Sequence, residues 1–212
     1  MTSKRNILYQ IHKKMKEAIS ASKKIILWQL TGRAIPPPHA VKQKIIKYYA
    51  TKFRLQNFIE TGTYMGEMID AVLNTFSKII SIEFDSALAE RAKNKFSSNG
   101  HVTIIQGDSG QVLPSIISNI TGPCLFWLDA HYSGGVTSKS DLETPIAREL
   151  EVILDHPCSD HVILIDDARE FKGQNNYPTL AEIEKIVLGK RSDWLMEVEA
   201  DVIRLHKATK QK

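Results

Sequence analysis

The sequence predicts an α/β protein: a doubly wound sheet of seven strands, five parallel and the last two an antiparallel hairpin, preceded by a helical extension. Three observations carry this. From Asn57 onward, short apolar runs of strand length alternate with amphipathic helical stretches, the order of elements that demands parallel pairing with helices on both faces. The last two apolar runs, Trp194–Val198 and Val202–Leu205, are separated only by Glu199-Ala200-Asp201. So short a link permits a hairpin and forbids a parallel crossover. The first third reads as helix, because Ile7, Ile11, Met15 and Ile19 recur every four residues with lysines between them.

In chain order, the expected strands are Phe58–Glu60, Ile79–Glu83, Val102–Gln106, Cys124–Leu128 and His161–Ile165, then the two hairpin strands. Helical patterns lie between them near Glu67–Thr75, Ser86–Ser97, Ser109–Ser118, Thr144–His156 and Thr179–Leu188. Thr144-Pro145 reads as a hydroxyl cap followed by proline at the first helical position. Pro36-Pro37-Pro38 is a stiff connector, and a second N-terminal helix follows over Ala40–Phe53. Residues 1–39 are therefore an extension and 40–212 the core domain.

Composition narrows the class. The chain has 212 residues, enough for one domain of ordinary size beside an extension. No apolar run is long enough to span a bilayer, and the N-terminus lacks the apolar core of a secretory signal. Two cysteines, Cys124 and Cys158, make no disulfide framework, so a reducing compartment, the cytoplasm, is expected. The net charge of +4 hides an asymmetry: residues 1–54 hold 13 Lys/Arg against one acid, Glu17, and the remainder 15 Lys/Arg against 23 acids. A basic arm on an acidic body fits an anionic partner, or a solvated helical face beside that body. Nucleic acid is disfavoured, because the arm carries neither a stacking array of aromatics nor a nucleic-acid motif.

In open parallel sheets ligands bind beyond the carboxyl ends of the strands, so the residues there carry the chemistry. After the first strand comes Glu60-Thr61-Gly62-Thr63-Tyr64-Met65-Gly66. Gly62 allows a sharp turn close to a ligand and Gly66 opens the next helix. An acid at position 60 would repel a pyrophosphate and suits a ligand bearing an ammonium and a sulfonium. After the second strand, Glu83 can accept from both hydroxyls of a ribose, while Asp85 suits a helix cap. After the third come Gly107-Asp108-Ser109. Asp108 can accept from an adenine amine, or Asp108 or Ser109 can cap the following helix.

These residues, together with the terminal hairpin, resemble class I S-adenosylmethionine-dependent methyltransferases, which have a Rossmann-like sheet; the resemblance covers about residues 55–206. It implies that Glu60, Thr61, Gly62, Thr63, Tyr64 and Gly66 line the methionine end of the cofactor. It further implies that Glu83 holds the ribose, that Asp108 and Ser109 hold the adenine, and that Asp129 borders the reacting end.

The fourth strand runs into Asp129-Ala130-His131-Tyr132 and the fifth into Asp166-Asp167. Neighbouring strands bring Asp129, Asp166 and Asp167 together, and three converging carboxylates repel unless a cation joins them. All-oxygen ligands select a hard ion such as Mg²⁺, with Mn²⁺ or Ca²⁺ as rivals. The competing arrangement has one Asp capping a turn and another paired with Arg169. The pattern resembles the metal-dependent O-methyltransferases, and its Asp-Asp pair is closer to the macrocin-type sugar enzymes than to catechol enzymes. Catechol enzymes carry a lysine base three residues after the strand-four Asp; here that residue is Tyr132, so the lysine mechanism does not transfer. A bound cation lowers the pKa of a sugar hydroxyl, and vicinal hydroxyls can chelate it. His131 is then the first candidate for the base, beside Asp129, although a neutral loop histidine is the simpler alternative. His131, Tyr132 and Arg169 are candidate substrate contacts, and Ser133-Gly134-Gly135 and Lys172–Pro178 are expected to be flanking loops.

The sequence thus points to an S-adenosylmethionine- and metal-dependent O-methyltransferase acting on a sugar or glycan. The alternatives are a catechol-like small-molecule enzyme and a non-catalytic cofactor-binding module. A second copy of the chain and a neighbouring glycan-synthesis domain are the further partners considered.

Overall fold

The computed structural model describes residues 2–129 and 144–208. Seven strands form one sheet, with β1 Asn57–Thr61, β2 Lys78–Glu83, β3 Val102–Gln106, β4 Cys124–Leu128, β5 Val162–Ile165, β6 Trp194–Glu199 and β7 Val202–Lys207. Their order is β3-β2-β1-β4-β5-β7-β6. β1 to β5 are parallel, whereas β7 runs antiparallel to both β5 and β6. The order reverses between β1 and β4, and in a doubly wound sheet a ligand crevice opens at that reversal. No described helix is long and apolar enough to cross a membrane.

Helices α1 Thr2–Leu30 and α2 His39–Lys52 precede the sheet. α3 Glu67–Val72, α4 Ser86–Phe96, α5 Ser109–Ile117, α6 Ile146–Asp155 and α7 Leu180–Lys190 connect its strands. Alternation along the strands builds two cores. Phe58, Leu125, Trp127, Val162 and Leu164 pack with Ile46 and Tyr49 of α2, Ile69 of α3 and Phe96 of α4. Ile59, Phe126, Leu128, Ile163 and Ile165 pack with Leu113 of α5, Leu150 of α6 and Ile183 of α7. Burial on both faces explains why the central strands read as continuous apolar runs rather than as alternating ones.

Caps fix where the helices begin. Asp85 accepts from Ala87 N and Leu88 N at the start of α4, as its sequence position suggests. Thr179 and Glu182 form a reciprocal capping box at α7. α6 differs from expectation by one register step. It starts at Ile146, so Pro145 is the cap rather than the first helical residue, and Thr144 Oγ1 accepts from Ile146 N at 3.3 Å. α2 starts at His39, which places the expected 39/40 boundary inside its first turn.

At the amino end of the sheet, away from the crevice, Cys124 N donates to His161 Nδ1 at 3.0 Å, and His161 Nε2 meets His156 Nδ1 at 2.9 Å. Cys158 N also donates to His156 Nδ1. His161 accepts through Nδ1 in this network, and burial pushes it down from 6.5 to about 4. Because the unfolded chain takes up this proton and the folded chain resists it, the His161 contribution is complete above pH 6.5 and declines as pH falls towards 4. Its full extent is roughly 3 kcal/mol. Urea unfolding from pH 7.5 to 4.5 should show this loss in the parent. His161→Asn, which keeps an acceptor for Cys124 N, should show a shallower pH dependence.

Candidate functional site

Parallel pairing carries one hydrogen bond past each strand end. Gly62 N donates to Ile82 O at 2.9 Å and Gly107 N to Glu83 O at 2.9 Å. Asp129 N donates to Thr61 O at 3.1 Å and Asp166 N to Leu128 O at 3.0 Å. The residues after β1 to β5 are therefore held in one row along the crevice.

The loop after β1 turns through Gly62 at φ +86° and Tyr64 at φ +48°, and enters α3 through Gly66 at φ +68°. A Cβ on Gly66 would stand 2.7 Å from the Phe96 ring, so this loop lies close against α4. Glu83 clamps the turn, accepting from Tyr64 N at 2.7 Å through Oε2 and from Asp85 N at 3.0 Å through Oε1. Each oxygen keeps a further lone pair. Glu60 is buried beneath the loop. Ser81 donates to it at 2.6 Å, and Thr63 Oγ1 lies 2.6 Å from Ser81 Oγ. Burial raises the Glu60 carboxyl to about 8, with Asp129 and Glu83 adding to the shift and Ser81 opposing it. Tyr64 exposes its ring at the mouth of the loop, whereas Thr61 and Thr63 are buried.

At the end of β3, Asp108 is the cap of α5. Its Oδ1 accepts from Gly110 N at 2.9 Å and its Oδ2 from Gln111 Nε2 at 3.2 Å. Ser109 is buried and faces Glu149 of α6, a residue whose carboxyl burial raises to about 7.

Beyond β4 and β5, one oxygen each of Asp129, Asp166 and Asp167 lie within 4.8 Å of one another. Successive strand residues point to opposite faces, but β5 ends at Ile165 and Asp167 turns back at φ +53°, so both acids reach the same neighbour. That neighbour is Lys42 of α2, whose Nζ lies 2.6 Å from Asp166 and 3.1 Å from Asp167. Arg169 holds Asp167 at 2.8 Å and also pairs with Asp201, which is the pairing that the competing, metal-free arrangement expected of one Asp. Burial and Asp129 push the Asp166 carboxyl up while Lys42 opposes them. The pairing raises the Lys42 pKa against the opposing effect of its own burial. The His39 ring, at the start of α2, is lowered by burial and feels Glu67, Lys42 and Asp129. Beside the acids a cavity is lined by Asp129, Thr144, Glu149, Asp166, Phe171 and Tyr177. Burial and the nearby acids raise the Tyr177 phenol, which keeps it neutral.

No family model matches the chain, and no curated protein matches it. Solved structures do. An O-methyltransferase from Bacillus cereus in complex with SAH superposes with a TM-score of 0.58 at 14% identity, covering 87% of this chain and 88% of that one. The O-methyltransferase TomG from Streptomyces achromogenes, in complex with SAM, gives 0.56 at 17% identity over 87% of each chain. The SAH-bound methyltransferase PaMTH1 of Podospora anserina gives 0.56 at 16%, covering 93% of this chain and 96% of its own.

The chain has the class I methyltransferase fold.

Within this methyltransferase fold the structure brings Asp129, Asp166, Asp167 and Arg169 together, and places Glu60, Glu83 and the glycine loop along the same crevice. His131 and Tyr132, with the Ser133-Gly134-Gly135 segment, lie outside the described residues. The other flanking segment is closed by a bridge between Lys172 and Thr179, and its Tyr177 reaches the cavity. Sequence reasoning missed Lys42 and Glu149. Both had a signal. Lys42 precedes Ile46 and Tyr49 at helical spacing, and Glu149 lies between Ile146 and Ile153, so each charge sits on the apolar stripe of its helix.

Removing Lys42 takes from the three clustered acids the cation that meets Asp166 and Asp167. Lys42→Met should lower stability in chelator by on the order of 3 kcal/mol, the typical loss when one partner of a buried ion pair is deleted. Millimolar Mg²⁺ or Mn²⁺ should restore most of it. Urea midpoints with and without the ion read the effect, and a deficit that no divalent ion repairs would count against cation binding by these acids.

Proposed function

We propose that this chain is an S-adenosylmethionine-dependent O-methyltransferase that requires a divalent cation, Mg²⁺ or Mn²⁺, and methylates a hydroxyl of a sugar or glycan. The carrying observation is the closure of Asp129, Asp166 and Asp167 to within 4.8 Å, beside the glycine loop, where Asp129 N donates to Thr61 O. The donor set fits a hard ion: three carboxylates that are half-buried or buried and offer only oxygen ligands. Asp129, Asp166 and Asp167 would hold the ion, which supplies a lowered pKa to an acceptor hydroxyl.

The chain's own residues do the rest. Glu83 takes the ribose diol and fixes the Tyr64 turn. Glu60, beneath the methionine end, places negative charge under an ammonium, and binding of that cation draws its raised pKa back down. The acceptor oxygen attacks the methyl carbon in line with sulfur. The C–O bond forms, the C–S bond breaks, and the hydroxyl proton passes to a base, for which His131 is the proposed residue, with Tyr132 as a proposed substrate contact. The loop Lys172–Pro178 contributes Tyr177, and Thr144 stands beside it; their hydroxyls suit a polyhydroxylated acceptor. One observation favours a second reading. Phe171 and Tyr177, edge to face at 5.3 Å, line the cavity and suit a flat catechol-like acceptor equally well.

The test joins binding and turnover. Calorimetry should show S-adenosylhomocysteine binding to the parent and a loss of about tenfold or more in Glu83→Ala, the scale of hydrogen bonds to a charged group. Against panels of sugar and catechol acceptors, EDTA should abolish methyl transfer and Mg²⁺ or Mn²⁺ should restore it. Full turnover in chelator would remove the cation from the reading.

Residues 1–39 are proposed to be an accessory arm. α1 packs on α2, and Arg33 meets Glu199 only across an exposed 3.5 Å pair. Deleting residues 1–31, which spares α2, should leave the thermal midpoint and cofactor affinity within error. A collapsed melting transition would make α1 part of the core.

A further inference from the structure

α1 carries an apolar face that the rest of the described chain leaves open. Met15, Ile19, Ile26 and Leu30 are each between 53% and 79% exposed. At about 100° per residue they fall within about 60° of the helix circumference. Their spacing repeats after eleven residues, Met15 to Ile26 and Ile19 to Leu30. That repeat drifts by only about 20° in three turns, so the stripe runs nearly straight along the helix. The half-buried residues of α1, Ala21, Ile25 and Trp28, centre on a direction about 140° away. α1 packs on α2, and Trp28 Nε1 donates to Ala34 O at 2.7 Å. The stripe thus points away from the body of the protein.

The charge of this helix has one dominant sign. α1 holds seven Lys/Arg and one acid, Glu17. Lys23 and Lys16 stand exposed along one edge of the stripe, about 20° and 40° beyond Leu30. Leu27, 62% exposed, lies just past them. Lysine stems lie along apolar surface while their ammonium groups stay at the polar level above it. An apolar stripe bordered by cations matches a surface that is apolar within and anionic at its boundary, which is a bilayer leaflet rich in acidic phospholipid. Nucleic acid would meet the lysines and leave the stripe in water. A second copy pairing helix to helix needs a seven-residue seam. A seam through Met15, Ile19 and Ile26 would place Ser22 and Gln29 at its alternate positions.

We propose that α1 lies flat on an anionic phospholipid surface, with Met15, Ile19, Ile26 and Leu30 seated among the acyl chains and Lys16 and Lys23 at the phosphates. The helix rests in the interface and does not cross it, in keeping with its polar residues. Residues 55–212 hold 15 Lys/Arg against 23 acids, so the same surface repels the body while it holds the arm. The accessory arm thereby gains a partner of stated chemistry, whatever reaction the crevice performs.

Flotation of the full chain with vesicles tests this, using phosphatidylcholine alone and an equal mixture with phosphatidylglycerol. The chain should bind the mixture about tenfold or more above the neutral vesicles, and raised salt should weaken that binding. Ile19→Ser with Ile26→Ser removes two apolar side chains and keeps every charge; it should lose about tenfold or more. Lys16→Gln with Lys23→Gln should lose a similar factor, about tenfold. Both variants should keep the parent's thermal midpoint, since all four residues are exposed. A parent that ignores the acidic vesicles overturns the proposal, and that comparison needs no variant to fold. Binding that survives the loss of Ile19 and Ile26 also overturns it, by assigning attachment to charge alone. A parent dimer in ultracentrifugation that Ile19→Ser with Ile26→Ser splits, with no vesicle binding, gives the stripe to a second copy of the chain and overturns it too.

Discussion

The crevice depends on one constraint, the in-register parallel ladder from β3 across to β5. Each strand ends within a residue of its neighbour, and each donates or receives one more backbone bond past its end. Residues far apart in sequence are thereby fixed side by side without any side chain having to recognise another. Asp129 reaches Asp166 because Leu128 pairs with Ile165; Gly62 lies beside Glu83 because Thr61 pairs with Ile82. A single slip in register would turn every buried strand residue to the opposite core. The two apolar clusters therefore protect the site's geometry as well as the fold.

On that frame, charge is arranged by depth. Carboxyls beneath the crevice, Glu60 and Glu149, are buried and held towards their neutral forms. Those at its edge meet cations supplied from outside the β1–β5 ladder, Lys42 from α2 and Arg169 from the turn after β5. Glu83 lies between, and it accepts two backbone N–H groups. The crevice thus has buried acids beneath it and paired acids at its edge. A ligand is favoured where it brings positive charge or hydrogen-bond donors.

Much of this was legible in the sequence, for physical reasons that differ by element. β3 and β4 match their expected limits because an apolar run bounded by polar turns has few other uses. The β6–β7 hairpin was legible because three linking residues cannot make a crossover. The three acids were legible as strand-end residues of neighbouring strands. The shifted start of α6 was not, since proline is tolerated both just before a helix and at its first position, and the Thr144 hydroxyl can serve either case. Lys42 was missed because its partners lie 124 and 125 residues away, and it belongs to a helix rich in lysines that read as one solvated face. Its place on the apolar stripe was the available clue, and the same clue marks Glu149.

Lys42 also sets the smallest unit that carries the site. α2 lies outside the alternating strand–helix pattern, and by connectivity alone it looks like a prefix to the sheet. Yet the ammonium that meets Asp166 and Asp167 comes from it. A fragment starting at β1, or a chimera grafting β1–β7 onto a foreign N-terminus, would inherit the acids and Arg169 without the Lys42 ammonium. Exchange of segments between homologous chains is therefore constrained at α2 as tightly as at any strand end, and the tolerant crossover point lies in the connector ahead of His39.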